Sequence, residues 1–270
     1  MVRWKKTRMT LLVLVLTLVW IVVLAPATLV IRFLPMNSPL VLQGLSGSLW
    51  SGAATQATLA PAGQALLHGR LTWRIRPLSV LQLSPCVELG FDGSGVSSRR
   101  SPEQPATVAG VACLSVAGEV GLRDLSFDLP AGIFLRSADV TLGGDISGQL
   151  TNLTWQGGKL QALSGRGLWS DARILSDELN LSLQTLPFTV GRESDNSLTV
   201  ELDNGDLLAQ QTDTPLHVAM RSTVSLNGSF HTRAQLALQS QAPDSVVELL
   251  DIIAEPQGGG LYTLEVRSQP

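Results

Sequence analysis

Residues 68–77 read HGRLTWRIRP, and their alternation decides the fold class. One side of an extended chain would carry Leu71, Trp73 and Ile75, whereas the other side would carry mainly arginine. Pro77 ends the strand because proline has no N–H to donate to a neighbouring strand. A strand with one apolar and one polar face is typical of an antiparallel sheet.

The same period of two returns in four later stretches, which read ELNLSLQTL (178–186), SLTVELD (197–203), LHVAMRSTVSL (216–226) and TRAQLALQSQ (232–241). Asn204-Gly205 follows the second of them and predicts a tight hairpin turn. By contrast, PDSVVELLDIIAEP (243–256) carries an apolar stripe of helical period. We therefore expect a mainly β protein, a curved antiparallel sheet with one late amphipathic helix.

The amino terminus carries the most apolar stretch of the chain. Four basic residues among the first eight precede an uncharged stretch from Thr10 to Ile31. This length matches a membrane-crossing helix, so we predict a cytoplasmic tail at 1–9, a transmembrane helix at 10–31 and a domain at 32–270 on the other side of the membrane. A cleaved signal peptide is the alternative, since Ala25-Pro26-Ala27 fits a small-x-small cleavage site. The domain at 32–270 is expected to be β-rich, with two related halves near 40–140 and 141–270.

Composition narrows the class of partner. Of 270 residues only 15% are charged, the net charge is −3, and Lys and Arg do not cluster beyond the first eight residues. Nucleic acid is therefore excluded as a partner, because phosphate binding needs a concentrated basic face. In an oxidising compartment Cys86 and Cys113, the only cysteines, would form one disulfide worth about 3.5 kcal/mol. Two buried thiols remain the alternative.

A short motif occurs twice, as LSGSLWSGAA (45–54) and LSGRGLWSDA (163–172). Glycine permits close approach of a neighbouring chain, and tryptophan supplies a large ring with one N–H to satisfy. We interpret the motif as a strand-packing signature, and expect Trp50→Ala to cost about 3 kcal/mol if the ring is buried. The signature comprises Gly47, Leu49, Trp50, Gly52, Trp73, Trp155, Gly165 and Trp169.

No pattern of catalytic residues stands out in the chain. His68, His217 and His231 lie far apart without metal-ligand spacing, and neither a nucleophile elbow nor a phosphate-binding loop is present in the sequence. We therefore expect no enzyme activity, no catalytic or metal site and no cofactor. Arg70, Arg74 and Arg76 form a candidate interaction surface for an acidic partner or lipid headgroups, with cross-strand charge pairing as the alternative.

The order of these motifs resembles one known family. LSGSLWSGAA, GRLTWRIRPLSVL (69–81), the cysteine pair and GQLTNLTWQGGKLQALSGRGLWSDARI (148–174) together resemble general secretion pathway protein N, the type II secretion system protein N family. At the level of the fold alone, the chain is also distantly similar to AsmA-like proteins.

The first resemblance implies a non-enzymatic, single-pass component of the inner membrane, whose β-rich domain at 32–270 lies in the periplasm. It would support assembly or stability of the machinery that exports folded proteins across the outer membrane. The partners would be other inner-membrane or periplasmic components of that system. The AsmA-like resemblance implies an alternative function, a periplasmic groove that binds a lipid or another amphiphile.

Overall fold

The structure is a computed structural model. It describes residues 9, 12–14, 16–17, 20–21, 23–33, 38–60, 66–95, 104–134, 141–175, 180–205, 216–239, 242 and 244–268. Within these residues fourteen β-strands form one antiparallel sheet. The strands are β1 Leu40–Gly47, β2 Ser51–Leu59, β3 Leu67–Ile75, β4 Cys86–Gly95, β5 Gln104–Leu114, β6 Glu119–Pro130, β7 Thr141–Gln156, β8 Lys159–Leu175, β9 Asn180–Ser194, β10 Ser197–Asp203, β11 Leu216–Ser225, β12 Phe230–Leu238, β13 Glu255–Gly258 and β14 Leu261–Ser268.

Strand order follows chain order almost throughout. From β1 to β12, strands that follow each other in the chain pair with each other. After β12 the order changes, because β14 lies between β12 and β13. The sheet is therefore open, with β1 at one edge and β13 at the other. The predicted mainly β, antiparallel fold is correct, while the division into two related halves stays a prediction.

Helices are few among the described residues. Residues 9, 12–14, 16–17, 20–21 and 23 are helical. The further α-helices are α1 Val30–Phe33, α2 Pro77–Leu81 and α3 Asp244–Ile253, and short 3-10 turns cover Ala27–Leu29 and Ala131–Ile133. The predicted late helix is α3, and Ala254 alone separates its end from β13. Tyr262 of β14 donates a hydrogen bond of 2.9 Å from its hydroxyl to Asp251 Oδ1 on the helix.

Apolar side chains of the sheet gather in two clusters. The larger joins strands β8–β14 to the buried face of α3, where Val246 and Leu250 are 3% and 2% exposed. The smaller contains Ala27, Ala54 and Trp73, with partly buried neighbours from β1, β3 and β4. The apolar stripe of the late helix therefore packs against one end of the apolar face of the sheet, as its helical period predicts.

The predicted transmembrane helix needs correction. Among the described residues, no helix combines the length and the apolar character needed to cross a membrane. The predicted span 10–31 is not one helix, because Pro26 is extended (φ −73°, ψ 153°) and forms a β-bridge with Ser48. Residues 1–8 of the predicted tail, and residues 10, 11, 15, 18, 19 and 22, lie outside the described residues.

The expected hairpin turn at Asn204-Gly205 is also wrong. Strands β10 and β11 do pair, with Leu202 opposite Met220, but the connection between them runs from residue 204 to 215. The Asn204 side chain is fully buried, donating to the Leu216 carbonyl at 3.2 Å and accepting from the Val218 N–H at 2.8 Å. It therefore joins the two strands in place of a tight turn.

Candidate functional site

The first copy of the repeated motif packs against β3. Gly52 lies opposite Trp73, and a Cβ atom on Gly52 would stand 2.9 Å from Cε2 of the indole and 2.7 Å from the Ser46 carbonyl oxygen. Trp73 is 7% exposed, and its Nε1–H donates to the Leu49 carbonyl oxygen at 3.1 Å. Glycine at position 52 therefore allows the indole to cover the neighbouring strand.

The turn that follows β1 holds the rest of this copy. Gly47 has φ +92°, a conformation that favours glycine, and a Cβ atom there would lie 2.6 Å from the Ser51 carbonyl oxygen. Trp50 is half-buried, and its carbonyl oxygen accepts a hydrogen bond of 2.7 Å from the Ile75 N–H. The buried ring of this region is therefore Trp73 and not Trp50.

The second copy lies in the other hydrophobic cluster. Trp169 packs against the larger cluster, and its Nε1–H donates to the Gly143 carbonyl oxygen at 2.9 Å. Gly165 lies opposite Leu150, and Trp155 is half-buried opposite Val120. The two copies occupy separate parts of the sheet, so the structure does not bring the signature residues together into one site.

The arginine surface is a row of exposed side chains on β3. Arg70 and Arg74 stand opposite Asp92 and Glu88 of β4 in the register. The Nε–H of Arg76 donates to Glu88 Oε1 at 2.8 Å, with both side chains about half exposed. This contact is the cross-strand charge pairing that the sequence left open as the alternative.

A groove of about 820 Å³ crosses strands β6–β10. Its lining comes from two adjacent rows of the polar face and the backbone between them: Ser126, Phe127, Ser147, Gly148, Gln149, Arg166, Gly167, Leu168, Pro187, Phe188, Thr189, Glu201 and Asp203. Arg166 lies on β8, the middle one of these five strands, and has no ion pair among the described residues. The sequence did not predict the groove, because its residues become neighbours only through the register of five strands.

Beneath the groove, on the apolar face, two glycines meet two phenyl rings. Gly148 pairs with Phe127, and Gly167 pairs with Phe188. A Cβ atom on Gly148 would lie 2.7 Å from Phe127 Cζ, and one on Gly167 would lie 2.8 Å from Phe188 Cε1. The rings thus occupy the space that side chains at the two glycines would fill, as the indole does at Gly52.

One end of the groove carries paired charges. Asp203 accepts hydrogen bonds from the Gly205 N–H at 2.7 Å and from His217 Nε2 at 3.0 Å. The Gly205 N–H, and after it His217, lower the pKa of the Asp203 carboxyl. Glu201 accepts a contact of 3.0 Å from Arg221. These carboxylates already have protein partners.

Farther along the polar face, Glu265 is surrounded by basic side chains. Arg267 and His231 both bond to Oε1, and Arg233 lies 3.5 Å from Oε2. Hydrogen bonding by Arg267, followed by that from His231, lowers the pKa of Glu265 to about 2. At Asp145 the direction is opposite, because desolvation and then the nearby carboxylates of Asp128 and Asp171 raise its pKa.

Cys86 and Cys113 form the disulfide that the sequence predicted. They are directly opposite each other on β4 and β5, with Cα atoms 4.0 Å apart. The bond closes the hairpin at the end where β5 continues into the turn to β6. As for metal binding, no group of three or more His, Cys, Asp or Glu side chains that could hold an ion occurs within the described ranges.

Comparison with known proteins gives a consistent result over nearly the whole chain. The family model of the type II secretion system protein N matches residues 38–265. Type II secretion system protein N of Aeromonas hydrophila is 26% identical over 275 residues, which cover 98% of this chain and 99% of that protein. No solved structure matches.

Proposed function

The chain belongs to the type II secretion system protein N family, and we propose that it acts there as a non-enzymatic subunit supporting assembly or stability of the secretion machinery. The observation that carries this proposal is the extent of the family match. Residues 38–265 include β1 to β13 entirely and most of β14, so the family match extends over nearly the whole sheet. Its partners in this proposal are other inner-membrane or periplasmic components of the system.

The location that we propose is the inner membrane, with the sheet on the periplasmic side. The disulfide between Cys86 and Cys113 supports this location, because such bonds persist in the periplasm and are rare in the cytosol. The bond joins two neighbouring strands of the sheet, β4 and β5. Because both cysteines belong to the sheet, the sheet lies in the same compartment as the disulfide.

The interior of the sheet supports a structural role. Glycines opposite indole and phenyl rings, buried alanines and aliphatic side chains fill its two clusters. Several charged groups of the polar face are engaged in cross-strand pairs, as at Glu88, Glu201 and Glu265. Such a sheet offers partners a rigid framework of paired strands.

A deletion strain tests the proposal. We expect loss of the gene to leave secreted proteins in the periplasm, and the wild-type chain and the neutral variant Gly121→Ala to restore export. Photo-crosslinking from the exposed edge strand β1 should then recover a component of the secretion system. Normal secretion in the deletion strain, together with no secretion component in the crosslinked products, would refute the proposal.

The amphiphile-binding alternative has no support from the comparisons. It therefore stays a prediction from the sequence.

A further inference from the structure

One end of the sheet presents a group of exposed aliphatic side chains, which we call the turn-end patch. It consists of Leu78, Leu83, Leu114, Val116 and Val120. Their exposed fractions are 72%, 65%, 48%, 79% and 40%. Scattered exposed aliphatic residues are normal on a soluble protein. Five of them on neighbouring loops and strand ends indicate a contact surface.

Hydrogen bonds and strand register show that these residues are neighbours. The N–H of Leu114 donates to the Pro85 carbonyl oxygen at 2.9 Å, which joins the end of β5 to the loop 76–85. Leu114 lies opposite Val120 in the β5–β6 pair, with Val116 in the turn between them. The disulfide fixes the base of the same strands. The five side chains thus occupy two adjacent connections at one end of the sheet.

The patch carries little charge. Residues 114–120 read LSVAGEV, with Glu119 as their one charged residue, and the loop 76–85 contains one, Arg76, which is paired with Glu88. Leu83 is moreover held at φ +58°, a left-handed conformation that leucine rarely adopts, while its side chain is mostly exposed. The left-handed residue closes helix α2, since the Ser84 N–H donates to the Ser79 carbonyl oxygen at 3.0 Å.

The amino-terminal apolar segment joins the sheet at the same end. The Leu49 N–H in the β1–β2 turn donates to the Ala25 carbonyl oxygen at 2.8 Å, and Ala27 is buried against Ala54 and Trp73. That turn neighbours the end of β3, because the Ile75 N–H donates to the Trp50 carbonyl oxygen. Among the described residues that precede Ala25, the large apolar side chains are all exposed by more than half, from Met9 to Leu24.

We propose that the turn-end patch rests on the lipid surface of the membrane. The strand ends that carry the patch then lie at the bilayer, and the opposite strand ends point away from it. A lipid surface fits these observations better than a protein partner does. It can cover both the patch and the exposed apolar residues of the amino-terminal segment, and it requires no complementary charge. The inference rests on the membrane location proposed above and adds the face through which the sheet meets the bilayer.

Site-specific photo-crosslinking tests this inference on the full chain. A benzophenone amino acid replaces Val116 in one preparation and Ile252 in another, and each protein is reconstituted in vesicles of phosphatidylethanolamine and phosphatidylglycerol. Ile252 is the matched control, since it is an aliphatic residue of 77% exposure on α3. We expect lipid adducts at position 116 to exceed those at 252 by about tenfold or more, because burial of one aliphatic side chain favours the bound state by about that factor.

A second variant removes one part of the patch without disturbing the fold. Leu83→Asn retains the left-handed backbone, which asparagine tolerates better than leucine, so thermal stability should be unchanged or higher. We expect this substitution to reduce lipid adducts at position 116 severalfold. An unchanged yield would contradict the inference.

Two further outcomes separate this inference from the proposed function. Adducts at position 116 that contain protein and no lipid, in native membranes, would overturn the lipid contact while leaving the secretion role intact. Absence of any adduct at 116 above the level at 252 would also overturn it. Normal secretion in the deletion strain would refute the secretion role, whatever the lipid adducts show.

Discussion

Replacement of Trp73 should open one end of the sheet and leave the other end closed. The indole is 7% exposed, contacts Gly52 across the strands and donates a hydrogen bond of 3.1 Å to the Leu49 carbonyl oxygen. Truncation of a buried tryptophan to alanine costs about 3–5 kcal/mol, the range for large cavities in a core. Trp73→Phe retains a ring but removes the donor, so we expect a cost of about 1–2 kcal/mol.

Hydrogen exchange followed by mass spectrometry measures this effect locally. Each 1.4 kcal/mol is about tenfold in an opening equilibrium, so amides of β2 and β3 should exchange more than about 100-fold faster in Trp73→Ala. The amides of β11 and β12 should be unchanged, because they belong to the separate larger cluster. Urea denaturation monitored by circular dichroism gives the corresponding fall in the free energy of unfolding.

Trp50→Ala is the control, because its ring is half-buried while the same sequence motif contains it. It should cost less than about half as much as Trp73→Ala, in proportion to the smaller area removed from water. An acceleration of less than about tenfold in Trp73→Ala would refute the assignment of this indole as the centre of the smaller cluster. So would an equal effect of Trp50→Ala.

Three further changes probe other parts of the sheet. Gly167→Ala should lower the melting temperature by several degrees, since the new Cβ would lie 2.5 Å from a backbone oxygen of the neighbouring strand β7. Gly121→Ala should be neutral, because the atom nearest to its new Cβ is 3.9 Å away. Equal effects of the two variants in a thermal scan would disprove the close packing at Gly167. Reduction of the disulfide between Cys86 and Cys113, or serine at both positions, should cost about 3.5 kcal/mol by loop entropy, and an unchanged urea midpoint would contradict this. The carboxylate of Glu265 has its pKa lowered from 4.5 to about 2, so the stability that it contributes is present above pH 4.5 and is lost as the pH falls towards 2. Glu265→Gln should therefore be less stable than wild type at neutral pH, and its free energy of unfolding should approach that of wild type in acid. A difference in free energy of unfolding that stays constant with pH would reject the ion cluster.

Local patterns predicted those elements that depend on local chemistry. The alternation around Trp73 predicted β3, the apolar stripe around Leu250 predicted the packed face of α3, and the two cysteines predicted the disulfide. Each of these signals lies in one segment or in a pair with only one combination. The resemblance of the ordered motifs to the family is likewise confirmed by the match over residues 38–265.

Features that depend on pairing between distant segments were not predicted. Asn204-Gly205 has the composition of a two-residue turn, but the register of β10 with β11 places Asn204 in the interior and lengthens the connection. Similarly, apolar composition over 10–31 predicted one helix, whereas the bridge from Pro26 to Ser48 interrupts it. The groove around Arg166 depends on the alignment of five strands, for which no single segment carries a signal.

On the periplasmic location proposed above, the chain crosses a membrane from its amino terminus, and the order of the strands then favours folding in that direction. Nearly every strand pairs with its predecessor, so each arriving strand would find its partner in place and loop closure would stay short. Cys113 precedes the midpoint of the chain, so the disulfide would be able to form while later strands are still in transit. The last hairpin is the exception, because β14 must enter between β12 and β13. We therefore expect insertion of β14 to be the last step of folding on this route.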